Sequence, residues 1–353
     1  MAICAFALLW FCTLPPALAT GEPDVNTQNV LDTSARFFNR ARLNLTDTQF
    51  KNALKNLDNA KGAICIVKNG NIILEKSYNI PAESDSKSFA MGKTTSAITS
   101  LAAVAAQENE LINLRSPLAR YCSYFRLNTN KNASIEDLLR GNIGFDKHSD
   151  TLVPMNASAA EIFDIAAQLP TTQDIGINQS LLTASIAGYA LGYIADKSEK
   201  DFKKSFAKAL YKFVLKPLDM TGARYRAFDT PFFPANALAL QSQDIGKWLC
   251  AETSPSPKIA TANAISARRA PTRQNGKIGM GWIKTSKNGI DFFMCGDFFQ
   301  NCANLVAVFP QYGVACAFVI KAQDASKASR TCQEALERVI DTLSIPIPPR
   351  ISK

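Results

Sequence analysis

The sequence predicts an α+β fold: an antiparallel sheet built from N- and C-terminal strands, flanked by helices, with an inserted mainly helical lobe. Three observations lead there. Residues Ala63 to Leu74 form two apolar, β-rich runs around Asn69-Gly70, the dipeptide of a two-residue hairpin. The middle of the chain reads as helix: Thr95–Leu111 is rich in Ala and Leu with no Pro or Gly, and Gln179–Lys197 and Lys200–Lys216 follow, the last stopped by Pro217. Strands then return at Gly281–Thr285, Ile290–Cys295, Asn304–Phe309 and Val314–Ile320, before a closing helix over Ala325–Leu343. Strands at both ends with helices between them imply one sheet assembled from the two ends. The cleft between two such lobes is the usual place for a site.

Taken in order, residues 1–19 carry no charge, hold an apolar run from Ala2 to Leu14, and end in Pro15-Pro16 and Ala17-Leu18-Ala19. That pattern predicts a secretory signal, although no Lys or Arg precedes the apolar run. The prolines interrupt the stretch before the roughly 20 residues a membrane span needs. Residues 20–55 read as a leader and one helix. The remainder, 56–353, reads as the folded domain, with an α/β lobe over about 56–88 and 240–353 and a helical lobe over about 89–239. The expected location is the periplasm or the exterior.

Composition narrows the chemistry. Of 353 residues, 47% are hydrophobic and 20% charged, which excludes a disordered or multi-span membrane protein. The single histidine, His148, excludes a multi-histidine metal site and sits in a polar run that reads as a solvated loop. A Ser-His-Asp triad would have to run through that single residue, so Lys, Tyr or Glu is the expected base of a hydrolase built on this chain. Nine cysteines, two of them within residues 1–19, leave an odd number in the domain, so they cannot all pair. Cys295 and Cys302 are near enough in sequence to bridge across a hairpin, and the others read as small buried apolar side chains. Gly92-Lys93-Thr94-Thr95 mimics the end of a phosphate-binding loop, but Lys87 stands where its first glycine belongs. No cofactor is implied.

Local phrases carry a family resemblance. Gly62 to Gly70 looks like an opening hairpin. Phe89-Ala90-Met91-Gly92 leads into a helix that reaches Asn109-Glu110-Leu111 and Pro117. Ser134 to Leu139 precedes Gly144, Leu215-Lys216-Pro217-Leu218-Asp219-Met220 forms a turn, and Gly279-Met280-Gly281-Trp282 and Leu305 to Pro310 return as strands. In this order they resemble the serine β-lactamase and penicillin-binding-protein superfamily, in its class C β-lactamase, DD-peptidase and esterase branch. The resemblance implies a β-lactamase/transpeptidase-like fold. It also implies a Ser-x-x-Lys pair, in which residues three apart share a helix face and the amine takes the hydroxyl proton. A Tyr-x-Asn and a basic-x-Gly strand complete the family's site.

The chemical residues depart from that pattern. Alignment on Phe89 and Gly92 puts Lys93 at the serine position and Ser96 at the lysine position. Thr183-Ala184-Ser185 stands at the Tyr-x-Asn, Met294-Cys295-Gly296 at the basic-x-Gly, and Gly141-Asn142-Ile143-Gly144 at the family's His-Thr-Ser-Gly. The candidate catalytic residues are Ser96 as nucleophile and Lys93 as base, in mirrored order. Ser185, Asn142, Cys295 and Gly296 are the candidate substrate-binding residues. A literal Ser-x-x-Lys at Ser84–Lys87 lies in a polar loop, and one at Ser205–Lys208 in a basic helix.

The leading expectation is an exported member with degenerate motifs that binds envelope or peptidoglycan-type ligands. An active divergent serine hydrolase, taking a small ester or amide, is the second reading. The third is a non-catalytic interaction protein: Lys204, Lys208 and Lys212 form a cationic stripe opposite Phe202, Phe206, Leu210 and Phe213, a surface for an anionic polymer or membrane headgroups. No aromatic residues interleave the basic side, so nucleic acid is not indicated.

Overall fold

A computed structural model describes residues 40–80, 87–121, 132–173, 180–197, 201–226, 230–272 and 276–344. The expected signal at 1–19, Cys122 and most of Ser84–Lys87 lie outside them. The main sheet has six strands: β1 (Lys61–Lys68), β2 (Asn71–Tyr78), β3 (Ile283–Lys287), β4 (Ile290–Phe299), β5 (Cys302–Phe309) and β6 (Val314–Lys321). Their spatial order is β2-β1-β6-β5-β4-β3, all antiparallel. The N-terminal hairpin therefore joins the C-terminal meander through β1 and β6, as the sequence predicts. The hairpin turns on Asn69 at φ +46° and Gly70 at φ +77°, the two left-handed residues that match the right-handed twist of the strands.

Strands β1, β5 and β6 are buried along nearly their whole length, which explains their almost unbroken apolar sequences. Alternate side chains serve two cores. Ile64, Ile66, Leu305, Ala307, Phe318 and Ile320 pack with the terminal helices α1 (Arg40–Lys55) and α9 (Ala325–Ser344). Cys65, Val67, Val306, Val308, Ala317 and Val319 face the helical lobe. That lobe contains α2 (Thr95–Glu108), α3 (Ile135–Arg140), α4 (Ala159–Gln168), α5 (Leu181–Ala195) and α6 (Phe202–Leu210). After it come α7 (Ser242–Thr253) and α8 (Ala262–Arg269). Neither was expected, because each is short and carries few apolar positions; packing on the sheet and on α2 makes them.

The expected helix over Lys200–Lys216 is α6 followed by one π turn, Tyr211–Leu215. Lys216 N–H reaches back to Tyr211 O at 2.9 Å, and Pro217 carries no N–H to continue the ladder. Asp219, in the turn that resembles the family's Pro-Leu-Gly-Met, takes φ +54°, and Lys247 pairs with it at 2.8 Å. Phe206, Leu210 and Phe213 are buried and the lysine stripe is exposed. Lys204 pairs with Asp201 at 3.7 Å and Lys208 with Asp196 at 3.1 Å.

One expectation is corrected. Cys302 stands opposite Phe299 and Cys295 opposite Val306, so β4–β5 pairing holds the two thiols apart in the ladder and both are free. Proximity in sequence gave no access to register. Among the described residues no helix is long and apolar enough to cross a membrane.

Candidate active site

The site begins where the chain leaves the strand Phe89–Ala90 and enters α2 through a 3-10 turn, Gly92–Thr94. Gly92 sits at φ +51°, and a Cβ there would stand 2.3 Å from Asp297 Oδ2 and 2.4 Å from the Phe299 ring. Only glycine fits. Strand β4 closes over this turn with three successive same-face side chains, as the two-residue period of a strand requires. Cys295 meets Thr94, Asp297 accepts the Lys93 backbone N–H at 2.9 Å, and Phe299 covers Gly92. From β5, buried Asn304 accepts from Thr94 Oγ1 at 2.6 Å and donates to Met91 O at 3.1 Å, fixing the turn from behind.

Lys93 is exposed, and Ser96 is half-buried one turn deeper on α2. The Lys93 ammonium lies within electrostatic reach of two half-buried carboxylates, one from each lobe. Asp297 comes from the sheet and Asp150 from the helical side. Asp150 accepts the N–H groups of Leu181 and Leu182, each at 3.0 Å, at the N-terminus of α5, where the helix dipole favours an anion. Burial pushes both carboxyls above the usual aspartate range, and the Lys93 charge and the N–H donors offset only part of that rise.

Burial raises the proton affinity of Asp297 in the folded state. The native protein therefore binds more protons than the unfolded chain just above the ordinary aspartate pKa of about 3.9, and stability falls as pH rises through that window. Asparagine accepts the same N–H without charge. Asp297→Asn is expected to gain stability relative to the unchanged protein on going from about pH 4 to about pH 7, measured as urea midpoints at both values. An equal difference at both pH values overturns the assignment.

The other expected site residues lie in different surroundings. Thr183-Ala184-Ser185 forms the buried first turn of α5. Thr183 Oγ1 accepts the Phe145 N–H at 2.8 Å, and Ser185 is 0% exposed with its hydroxyl unpartnered, closed to solvent. Asn142 is half-buried, donating to Asp137 at 3.3 Å and accepting from Thr272 at 3.1 Å, so it ties α3 to the segment before β3. Cys295 is buried and its thiol is pushed up by that burial. Gly296 is exposed on β4, its Cβ direction blocked by Asn304 O at 2.7 Å. The structure brings together Lys93, Thr94 and Cys295, with Ser96 one turn along α2 and Phe299, one of the phenylalanines that flank Cys295 in the sequence, over Gly92, and adds Asp150 and Asp297, which the sequence reading missed. Asp297 lies between Cys295 and Phe299 on the same strand face, the one signal that could have found it.

Beneath the site lies a buried ionic cluster. Glu252 accepts from Arg268 at 2.6 Å, Arg269 at 3.0 Å and Trp248 Nε1 at 2.8 Å. Arg268 also donates to Ala97 O at 2.7 Å and Ser100 Oγ at 2.8 Å, anchoring α2 just past Ser96. Among the described residues no three His, Cys, Asp or Glu side chains are grouped to hold a metal ion.

The family model described as Beta-lactamase matches residues 49–325. A search of curated protein sequences returns no match. Among solved structures, SurE with D-Leu superposes with a TM-score of 0.68 at 12% identity, over 88% of this chain and 79% of that one. A class C beta lactamase from Rhodobacter sphaeroides gives 0.67 at 12% identity, over 84% and 99%. The octameric penicillin-binding protein homologue from Pyrococcus abyssi gives 0.64 at 13% identity, over 90% and 78%. Identities this low establish the shared fold and nothing finer.

Proposed function

The chain belongs to the beta-lactamase family, and from that premise we propose that it is a member that has lost acyl-transfer chemistry and binds its ligand without covalent attack, as an exported envelope protein. The observation that carries this reading is the contact between the Asp297 carboxylate and the Lys93 N–H. An acyl-transfer site needs a free N–H at the start of the nucleophile helix to receive the oxyanion of the tetrahedral intermediate. Here that donor is spent on a carboxylate, and a second negative charge forming beside it meets repulsion instead of stabilisation. The helix-start residue is a lysine, and Ser96 lies a turn away from the donor, whereas attack requires near-contact geometry.

Family kinship and the D-leucine carried by one structural neighbour favour a peptide or other small amide of peptidoglycan type as the ligand. The test is covalent labelling. The purified chain, confirmed as folded by circular dichroism, is treated with a fluorophosphonate and with a fluorescent penicillin, and its intact mass is read. No adduct is expected. A stoichiometric adduct on Ser96 that vanishes in Ser96→Ala and Lys93→Ala overturns the proposal and establishes a mirrored dyad.

A further inference from the structure

Outside the site, positive charge concentrates on helix α6 and the turn that follows it. Residues 201–226 hold seven Lys and Arg against two Asp, so this run carries more than half of the chain's net charge of +9. The fold sorts that charge to one side. Phe206, Ala209 and Leu210 are buried in the core of the helical lobe, which turns the opposite face of an amphipathic helix outward. Lys204 and Lys208 are 64% and 57% exposed at the side chain. Tyr211 comes three residues after Lys208, its N–H still bonded to Ala207 O, so it lies on the same face. It is 56% exposed, a large aromatic ring left uncovered in line with the lysines. Lys212 and Lys216 are exposed as well and continue the charge beyond the helix end.

Two aspartates touch this face without neutralising it. Asp201 lies 3.7 Å from the Lys204 ammonium and Asp196 3.1 Å from that of Lys208, and pairs so open to water are weak. Among the described residues no carboxylate pairs with Lys212 or Lys216. Lysines are flexible point charges, and on a convex helix surface they form no preset fork for a single phosphate or carboxylate. What they match is an extended layer of negative charge. A tyrosine among them suits a lipid headgroup layer, where the ring meets acyl chains and the hydroxyl stays wet. A soluble polyanion offers that ring no apolar layer.

We infer that α6 and the turn after it dock this protein on an anionic phospholipid bilayer, with Lys204, Lys208 and Lys212 on the lipid phosphates and Tyr211 in the headgroup layer. The attachment is peripheral, an amphipathic surface resting in the interface. It goes beyond the proposed function and stands whether or not Ser96 reacts.

The experiment is co-sedimentation of the whole chain, at about 0.1 M salt, with vesicles of phosphatidylcholine alone and of phosphatidylcholine and phosphatidylglycerol in equal parts. Binding is expected to the anionic vesicles only. Lys204→Gln/Lys208→Gln/Lys212→Gln is expected to lower the partition coefficient by about fivefold per lysine, roughly a hundredfold in all. Lys321→Gln/Lys327→Gln/Arg330→Gln removes the same charge from exposed positions on β6 and α9 and is expected to bind like the unchanged protein. Tyr211→Ser keeps the charge and is expected to weaken vesicle binding several-fold. Every substituted side chain is exposed, so the variants keep the fold, which circular dichroism checks. No sedimentation with anionic vesicles, or equal loss in the two triple variants, overturns the docking face. Lysine-dependent binding of long-chain polyphosphate without vesicle binding overturns it in favour of a soluble polyanion.

Discussion

Glu252→Gln is expected to destabilise the protein by about 3–5 kcal/mol, the cost of removing one partner from a buried ion pair. Arg268 and Glu252 are both 0% exposed at the side chain, and Arg269 is 7% exposed. Two guanidiniums therefore depend on one carboxylate out of reach of water. Glutamine still accepts from Trp248 but leaves both cations uncompensated. The loss also reaches the site, because Arg268 holds Ala97 O and Ser100 Oγ on α2, and Ser100 in turn donates to Met280 O at 2.9 Å. Denaturant unfolding measures the effect. The paired variant Glu252→Gln/Arg268→Met is expected to recover part of it, since it removes a buried charge together with its partner. A single variant within about 1 kcal/mol of the unchanged protein would mean that water reaches the cluster.

The second large effect is a gain. If the Lys93 turn is a disarmed nucleophile elbow, restoring the pair alone is insufficient. The double substitution Lys93→Ser/Ser96→Lys is expected to stay nearly inert towards a fluorescent penicillin, because Asp297 still occupies the helix-start N–H. Adding Asp297→Gly frees that donor and is expected to speed labelling by roughly 10²–10³-fold, the usual worth of one oxyanion donor. It also relieves the crowding over Gly92. The adduct should persist, since Thr183 and Ser185 are buried in α5 and offer no proton relay for release. Equal labelling of the double and triple variants would acquit Asp297. A folded triple variant without label would mean that the turn was never the nucleophile's place.

Local sequence was enough for much of the fold. Asn69-Gly70 dictated the hairpin because few dipeptides accept two left-handed residues. The apolar runs of β1, β5 and β6 announced strands, which the structure buries along nearly their whole length, and the phrase Ser134 to Leu139 matched a short helix, which the structure ends on Gly141 at φ +64°. The lysine stripe of α6 was legible from its four-residue period. Phrase order along the chain also carried the family, which composition could not have done.

Tertiary structure alone decided the site. Lys93 and Asp297 are separated by more than two hundred residues, as are Thr94 and Asn304, and no local propensity encodes which strand closes over the α2 turn. Register made Cys295 a partner of Val306 and kept it from Cys302. Burial turned Ser185 from a candidate ligand contact into a core hydroxyl, and gathered Glu252, Arg268 and Arg269 into one charge cluster. Periodicity and turn chemistry are local and survive in a one-dimensional reading. The field around Lys93 depends on the strand that closes over the α2 turn, which is in place only once the two ends of the chain have paired.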